Sequence, residues 1–174
     1  MSDNASRNQY TSNAPSSSPL TFYARVRTEN DTEYKNIKDV TMEGLTTIPS
    51  NFAPNETMDR LETEIKAHGM SVFARINHAA LAAEAKLTLR PTEVIVFGNP
   101  RGGTPLMQAN QTIGIDLPLK ALVWQDAAGK TWLSYNEPDW LAKRHEVSGA
   151  ERTLAAMSLA LGDIVAKATK ATIP

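Results

Sequence analysis

The chain contains no cysteine among its 174 residues, which excludes a disulfide framework, a thiolate metal site and a cysteine nucleophile while leaving the redox compartment open. It lacks a strong charge of either sign as well. With a formal net charge of -1 there is no long-range field to recruit nucleic acid or an anionic membrane, and neither is predicted as a partner. No uninterrupted apolar run reaches bilayer length, and residues 1–19 carry no apolar signal core, so a soluble cytoplasmic protein is expected. No internal repeat is visible, and no spaced set of histidines and carboxylates marks a metal, so no metal and no cofactor is predicted.

What is present suffices for one core. Residues 1–19, rich in Ser and Asn, are expected to be a disordered tail. The stretch 20–39 reads as an N-terminal arm or edge strand, because Phe22, Ala24 and Val26 alternate with Tyr23, Arg25 and Arg27. Residues 40–147 form a single α+β domain on this reading, and 148–174 a C-terminal helix. Within the domain a strand over 40–48 stops at Pro49, and Asn55 caps a helix with Met58, Leu61 and Ile65 on one face and Gly69 at its end. A strand over 70–76 precedes an alanine-rich helix over 78–86 capped by Asn77. Val94 to Phe97, apolar on both faces, reads as an interior strand. Two strands, 119–125 and 130–135, flank the turn Asp126 to Gly129 as a hairpin, and Pro138 opens a short helix. Ser148 and Glu151 make a capping box ahead of the seam Leu154, Met157, Leu161, Ile164 and Ala168. The whole predicts a mainly antiparallel sheet with helices packed on one face. Trp124 and Trp132, roughly opposite each other across the hairpin, suit packing at a homodimer interface on the other face; the last helix is the alternative interface.

The chemistry concentrates in residues 94–122. Gly98-Asn99-Pro100 breaks the strand, and Arg101-Gly102-Gly103-Thr104 reads as a turn feeding a helix, with Thr104 as cap and Pro105 at the first helical position. Paired glycines let backbone N–H groups converge, the helix dipole favours an anion, and Arg101 adds a neutralising charge. The Lys-Ser/Thr ending of a P-loop is missing. The competing reading is a structural turn in which Thr104 merely caps. His78, at a helix start, is favoured as a neutral imidazole and is expected to face Asn99 and Asp116; against this stands a histidine bonded only to backbone. Asp116 and Lys120 could present a carboxylate and an ammonium to a shared pocket, or serve only the turn ahead of Pro118. His68 and His145 are assigned to helix ends, and Ser134 and Tyr135 lie on a strand without a nucleophile elbow.

From about residue 44 to 145 the chain resembles the bacterial family catalogued as domain of unknown function 302. The phrases that carry the likeness are ETMDRL (56–61), SVFARINHAA (71–80), RPTEVIVFGNPRGGTPLM (90–107), GIDLPLKALVWQD (114–126), GKTWLSY (129–135) and LAKRH (141–145). The resemblance implies an α+β fold similar to a single TATA-binding-protein half, associating as dimers, and carries no established activity. Asn77 stands where the family often has Asp before the helix histidine.

Three functional readings follow. The first is a dimeric module binding a small anionic or amphipathic ligand between the Gly102-Gly103 turn and His78, with Asn99, Arg101, Thr104, Asp116 and Lys120 as further ligand-binding candidates. The second is an enzyme using His78 with Asp116 or Lys120 as acid and base. The third is a protein-interaction domain that docks a partner on its sheet face or last helix.

Overall fold

The computed structural model describes residues 42–170; the tail and arm expected over 1–39 lie outside the described residues. Among these, the strands β1 (Leu45–Pro49), β2 (Ser71–Asn77), β3 (Thr92–Gly98), β4 (Leu119–Gln125) and β5 (Thr131–Asn136) form one sheet. Its order is β1-β5-β4-β3-β2, and every neighbouring pair is antiparallel. The helices are α1 (Pro54–Ala67), α2 (His78–Glu84), α3 (Pro100–Ala109), α4 (Pro138–Arg144) and α5 (Glu151–Thr169), with a 3-10 turn at Gln111–Ile115. This is the α+β arrangement the sequence predicts.

Helix α1 forms because Pro54 presets the first turn and Met58, Leu61 and Ile65 recur on one face, where all three are fully buried. Its cap is Ala53, two residues ahead of the expected Asn55, since a proline at the first helical position already has the helical φ and needs no N–H. Helix α1 lies beside α5 and touches β2, β3 and β4. Under these helices sit Ile95 and Phe97 of β3 and Ala121 and Val123 of β4, all buried. The alternate residues Val94, Val96, Leu122 and Trp124 occupy the opposite face and are only half-buried. A strand apolar on both faces therefore has one face under helices and the other uncovered by the described residues.

The hairpin is as expected: Asp126 Oδ1 accepts the N–H groups of Ala128 and Lys130, both at 2.9 Å, and Gly129 takes φ +79. Trp124 pairs with Trp132 in register, their rings stacked with centroids 6.0 Å apart. Leu154, Leu161, Ile164 and Ala168 are the buried seam of α5. The capping box is not made. Gly149, at φ +75, turns the chain between Ser148 and the helix, so the cap position falls to Ala150 and Glu151 reaches back alone to the Gly149 N–H at 2.9 Å.

Candidate functional site

The site is built where β3 ends. Asn99 leaves the strand in extended geometry, its Oδ1 accepts the Arg101 N–H at 2.9 Å, and Pro100 takes the first helical position. The Asn99 Nδ2 donates to the Gly69 carbonyl at 3.1 Å, which pins the helix start to the turn between α1 and β2. Helix α3 thus begins five residues before the expected Pro105. Gly102 and Gly103 are not a turn: they lie in its first turns, and both amides donate to the Asn99 carbonyl, at 2.9 and 3.0 Å. The converging free N–H groups expected there do not exist. Pro105 sits inside the helix and cannot supply the N–H that the Arg101 carbonyl would otherwise accept. Glycines in the preceding turn lighten the crowding around its ring.

A cleft of about 590 Å³ lies between residues of α3 and α5 beside the end of β3. Asn99, Arg101, Gly102, Gly103 and Thr104 line it from the α3 side. Arg152, Thr153, Ala156, Met157 and Ala160 line it from α5, and Met70, Phe73 and Leu117 complete the apolar walls. A Cβ placed on Gly102 would lie 3.5 Å from the Met157 methyl, and one on Gly103 would lie 3.8 Å from both Met107 and Leu117. The glycines therefore hold space open between the helices, and that is their contribution to the site. The size falls within the ordinary range of small-molecule sites, and the walls are of the mostly apolar kind such sites use.

His78, Asp116 and Lys120 are not brought to this cleft. Ser71 pairs with Gly98 and Asn77 with Glu93, so His78 sits at the other end of β2, roughly 20 Å away at about 3.3 Å per residue. There Asn77 caps α2 through the Ala80 N–H at 2.9 Å, and His78 is exposed. The cavity expected between the Gly102-Gly103 segment and His78 is thus absent: the connection between β2 and β3 is a hairpin-like excursion at the sheet's far end. Lys120 Nζ donates to the Asp116 backbone carbonyl at 2.9 Å rather than to its carboxylate. The Asp116 carboxylate turns away to His145 Nε2, at 2.7 Å, and Arg144, at 3.2 Å. No acid and base pair of the expected composition forms, and the enzyme reading built on His78 loses its geometry.

Two features escaped sequence reasoning. Arg152, the second cation of the cleft, lies about fifty residues beyond the first, a separation that no local motif bridges. The available signal was in α5 itself, where Arg152, Ala156 and Ala160 recur at helical spacing and two small side chains in a row leave a furrow. The residues around His145 have the composition of a solvated helix end; only the fold supplies Asp116 as its partner.

A sequence model described as domain of unknown function DUF302 matches residues 46–164, more than half of the chain. Curated relatives from Brucella suis biovar 1 (strain 1330) and Brucella abortus biovar 1 (strain 9-941), each described as fluoride-specific ion channel FluC 1, are 52% identical over 104 residues. That segment is 60% of this chain but 41% and 38% of those proteins, so the chain spans well under half the length of the curated relatives it matches. A crystal structure of an uncharacterized conserved protein DUF302 from Bacillus stearothermophilus has the same fold, with a TM-score of 0.66 at 22% identity, covering 73% of this chain and 99% of that one. Among the described residues, no helix is long and apolar enough to cross a membrane.

Proposed function

This chain belongs to the family described as domain of unknown function DUF302, and from that premise we propose that it is a binding module holding a small amphipathic anion in the cleft between α3 and α5. The observation that carries the reading is the composition of the cleft: an apolar space of about 590 Å³ whose wall includes two arginines and no carboxylate. Because the first-turn amides of α3 are already bonded, charge recognition falls to the arginine side chains rather than to the backbone. In this reading the module works as a homodimer joined through the uncovered face of its sheet.

Thermal shift of the full chain against a panel of amphipathic acids tests the proposal. A ligand at a hundred times its Kd raises stability by about 2.7 kcal/mol, and Gly102→Trp, which directs an indole into the space beside Met157, is expected to abolish the shift while keeping the far-UV circular dichroism. Stabilisation that survives Gly102→Trp unchanged, or none with any member of the panel, overturns it.

The Brucella relatives favour a second, compatible reading. The matched segment covers the minor part of proteins described as fluoride-specific ion channels, and in this chain its described residues contain no membrane-crossing helix. We infer that the module is an accessory of such a channel. Deleting the coding sequence is expected to sensitise its host to fluoride; growth in fluoride indistinguishable from the parent sinks the idea.

A further inference from the structure

The two cations of the cleft stand where helix electrostatics disfavour them. Arg101 is the second residue of α3 and Arg152 the second of α5, whereas the dipole of a helix places about half a positive charge at its N-terminus and favours cations at the other end. A nearby carboxylate is the usual remedy. Here the cleft wall contains none, and among the described residues neither guanidinium is in ion-pair distance of one. Glu151, the nearest in sequence, accepts from the Gly149 N–H instead. An anionic ligand would supply the counter-charge that no protein carboxylate provides at this mouth.

The remaining wall specifies the body of that ligand. Three of the six methionines of the chain, Met70, Met107 and Met157, face the cleft together with Phe73 and Leu117. Unbranched thioether side chains repack around an irregular or flexible guest at little cost. Asn99, a polar member of the lining, has both ends of its amide spent on Arg101 N–H and the Gly69 carbonyl, so it offers the ligand little. A guanidinium fork fits a carboxylate through two parallel bonds.

Resting on the cleft reading above, we propose that the ligand is a single-chain carboxylic acid of the fatty-acid class, its acyl chain along the methionine wall and its carboxylate held by Arg101 and Arg152. The test uses the full chain and isothermal titration with linear saturated acids from hexanoate to tetradecanoate, kept monomeric, beside the primary alcohols of equal length. Affinity is expected to rise about fourfold per added methylene until the cleft is full, at about 0.8 kcal/mol for each buried methylene. Each acid is expected to bind about tenfold or more tightly than its alcohol, the scale of a hydrogen bond to a charged group. The double variant Arg101→Gln, Arg152→Gln is expected to erase that preference and leave alcohol binding as it was; both side chains are exposed, so folding is not at stake. Acids and alcohols binding alike overturns the head-group assignment and leaves the cleft reading standing. Binding of an aromatic probe blocked by Gly102→Trp, with no response to any acyl chain, overturns the fatty-acid class alone. Sedimentation with phosphatidylglycerol vesicles without binding of free acids also overturns it. Failure of every probe to bind the unmodified chain removes both this proposal and the one beneath it.

Discussion

His145 reaches two ways from the end of α4. Its Nε2 meets Asp116 Oδ2 at 2.7 Å, its Nδ1 meets Thr112 Oγ1 at 3.0 Å, and its backbone carbonyl accepts from Asn110 Nδ2 at 2.7 Å. Both ends of the 3-10 turn are thereby fastened to α4, immediately before Leu117 enters the cleft wall. The His145 and Asp116 side chains are only 10% and 15% exposed, so water replaces these bonds poorly. His145→Ala is expected to lower stability by about 1 kcal/mol, since it removes two side-chain bonds in a mostly buried place while Asp116 keeps Arg144 and the Thr112 hydroxyl keeps Asn110 Oδ1, seen as a lower urea midpoint at unchanged slope. A shift inside about 0.5 kcal/mol, the scale of ordinary surface changes, defeats the claim that the imidazole is a clamp. Nothing local announced this role. The partner lies 29 residues away, and the Arg144-His145-Glu146 context has the composition of a solvated helix end. His78 shows the converse: its helix-start position was legible and correct, yet the strand before it carries it away from every group it was expected to meet.

At the scale of elements, the hairpin between β4 and β5 is organised by one carboxylate. Asp126 accepts the Trp132 indole N–H at 2.8 Å and two backbone N–H groups at 2.9 Å. These bonds, the indole first and the Lys130 amide next, hold its carboxyl below the usual carboxylate range. A carboxyl whose folded pKa is depressed adds stability that is present above its unfolded pKa and is lost as pH falls through the folded value. Acidification below about pH 4, the unfolded Asp value, is therefore expected to loosen the turn and disturb the stacked Trp124 and Trp132. Asp126→Asn is expected to flatten the acid limb of a tryptophan-fluorescence titration; an identical limb in both proteins rules Asp126 out as its source. Elements of this kind were legible because the signal is local: alternation for β3, the 126–129 turn, the seams of α1 and α5. Helix α3 starts at Pro100 and not at Pro105 for an equally physical reason. Asn99-Pro100 and Thr104-Pro105 are both cap-and-proline pairs, five residues apart, and propensity does not choose between them. The first is selected by a tertiary bond, Asn99 to the Gly69 carbonyl, that no local pattern contains. The α3 half of the cleft was accordingly visible in sequence, and the α5 half was not.

For the whole molecule, the question is what covers the second face of the sheet. Helices α1 and α5 bury one face, while Val94, Val96 and Leu122 stay half-buried on the other, with Ile76 37% exposed beside them. The tryptophans at the edge of this surface need no solvent for their polar atoms, since Trp124 donates to Ser134 Oγ at 2.9 Å and Trp132 to Asp126. Their stacked rings thus act as apolar area, worth about 25 cal/mol for each Å² removed from water, with Lys130 over the Trp132 ring at 4.2 Å as a rim. A second copy presenting the same face by two-fold symmetry buries all of it at once, because an isologous contact matches each residue's exposure twice. Sedimentation velocity is expected to give a dimer for the unmodified chain and a monomer for Leu122→Glu, whose carboxylate would lie unpaired in the middle of the contact. The side chain points away from the α1 and α5 core, so circular dichroism is expected to hold while mass is halved. A monomer for the unmodified chain at high concentration, or a dimer that tolerates the glutamate, places the contact elsewhere and leaves this face to another partner.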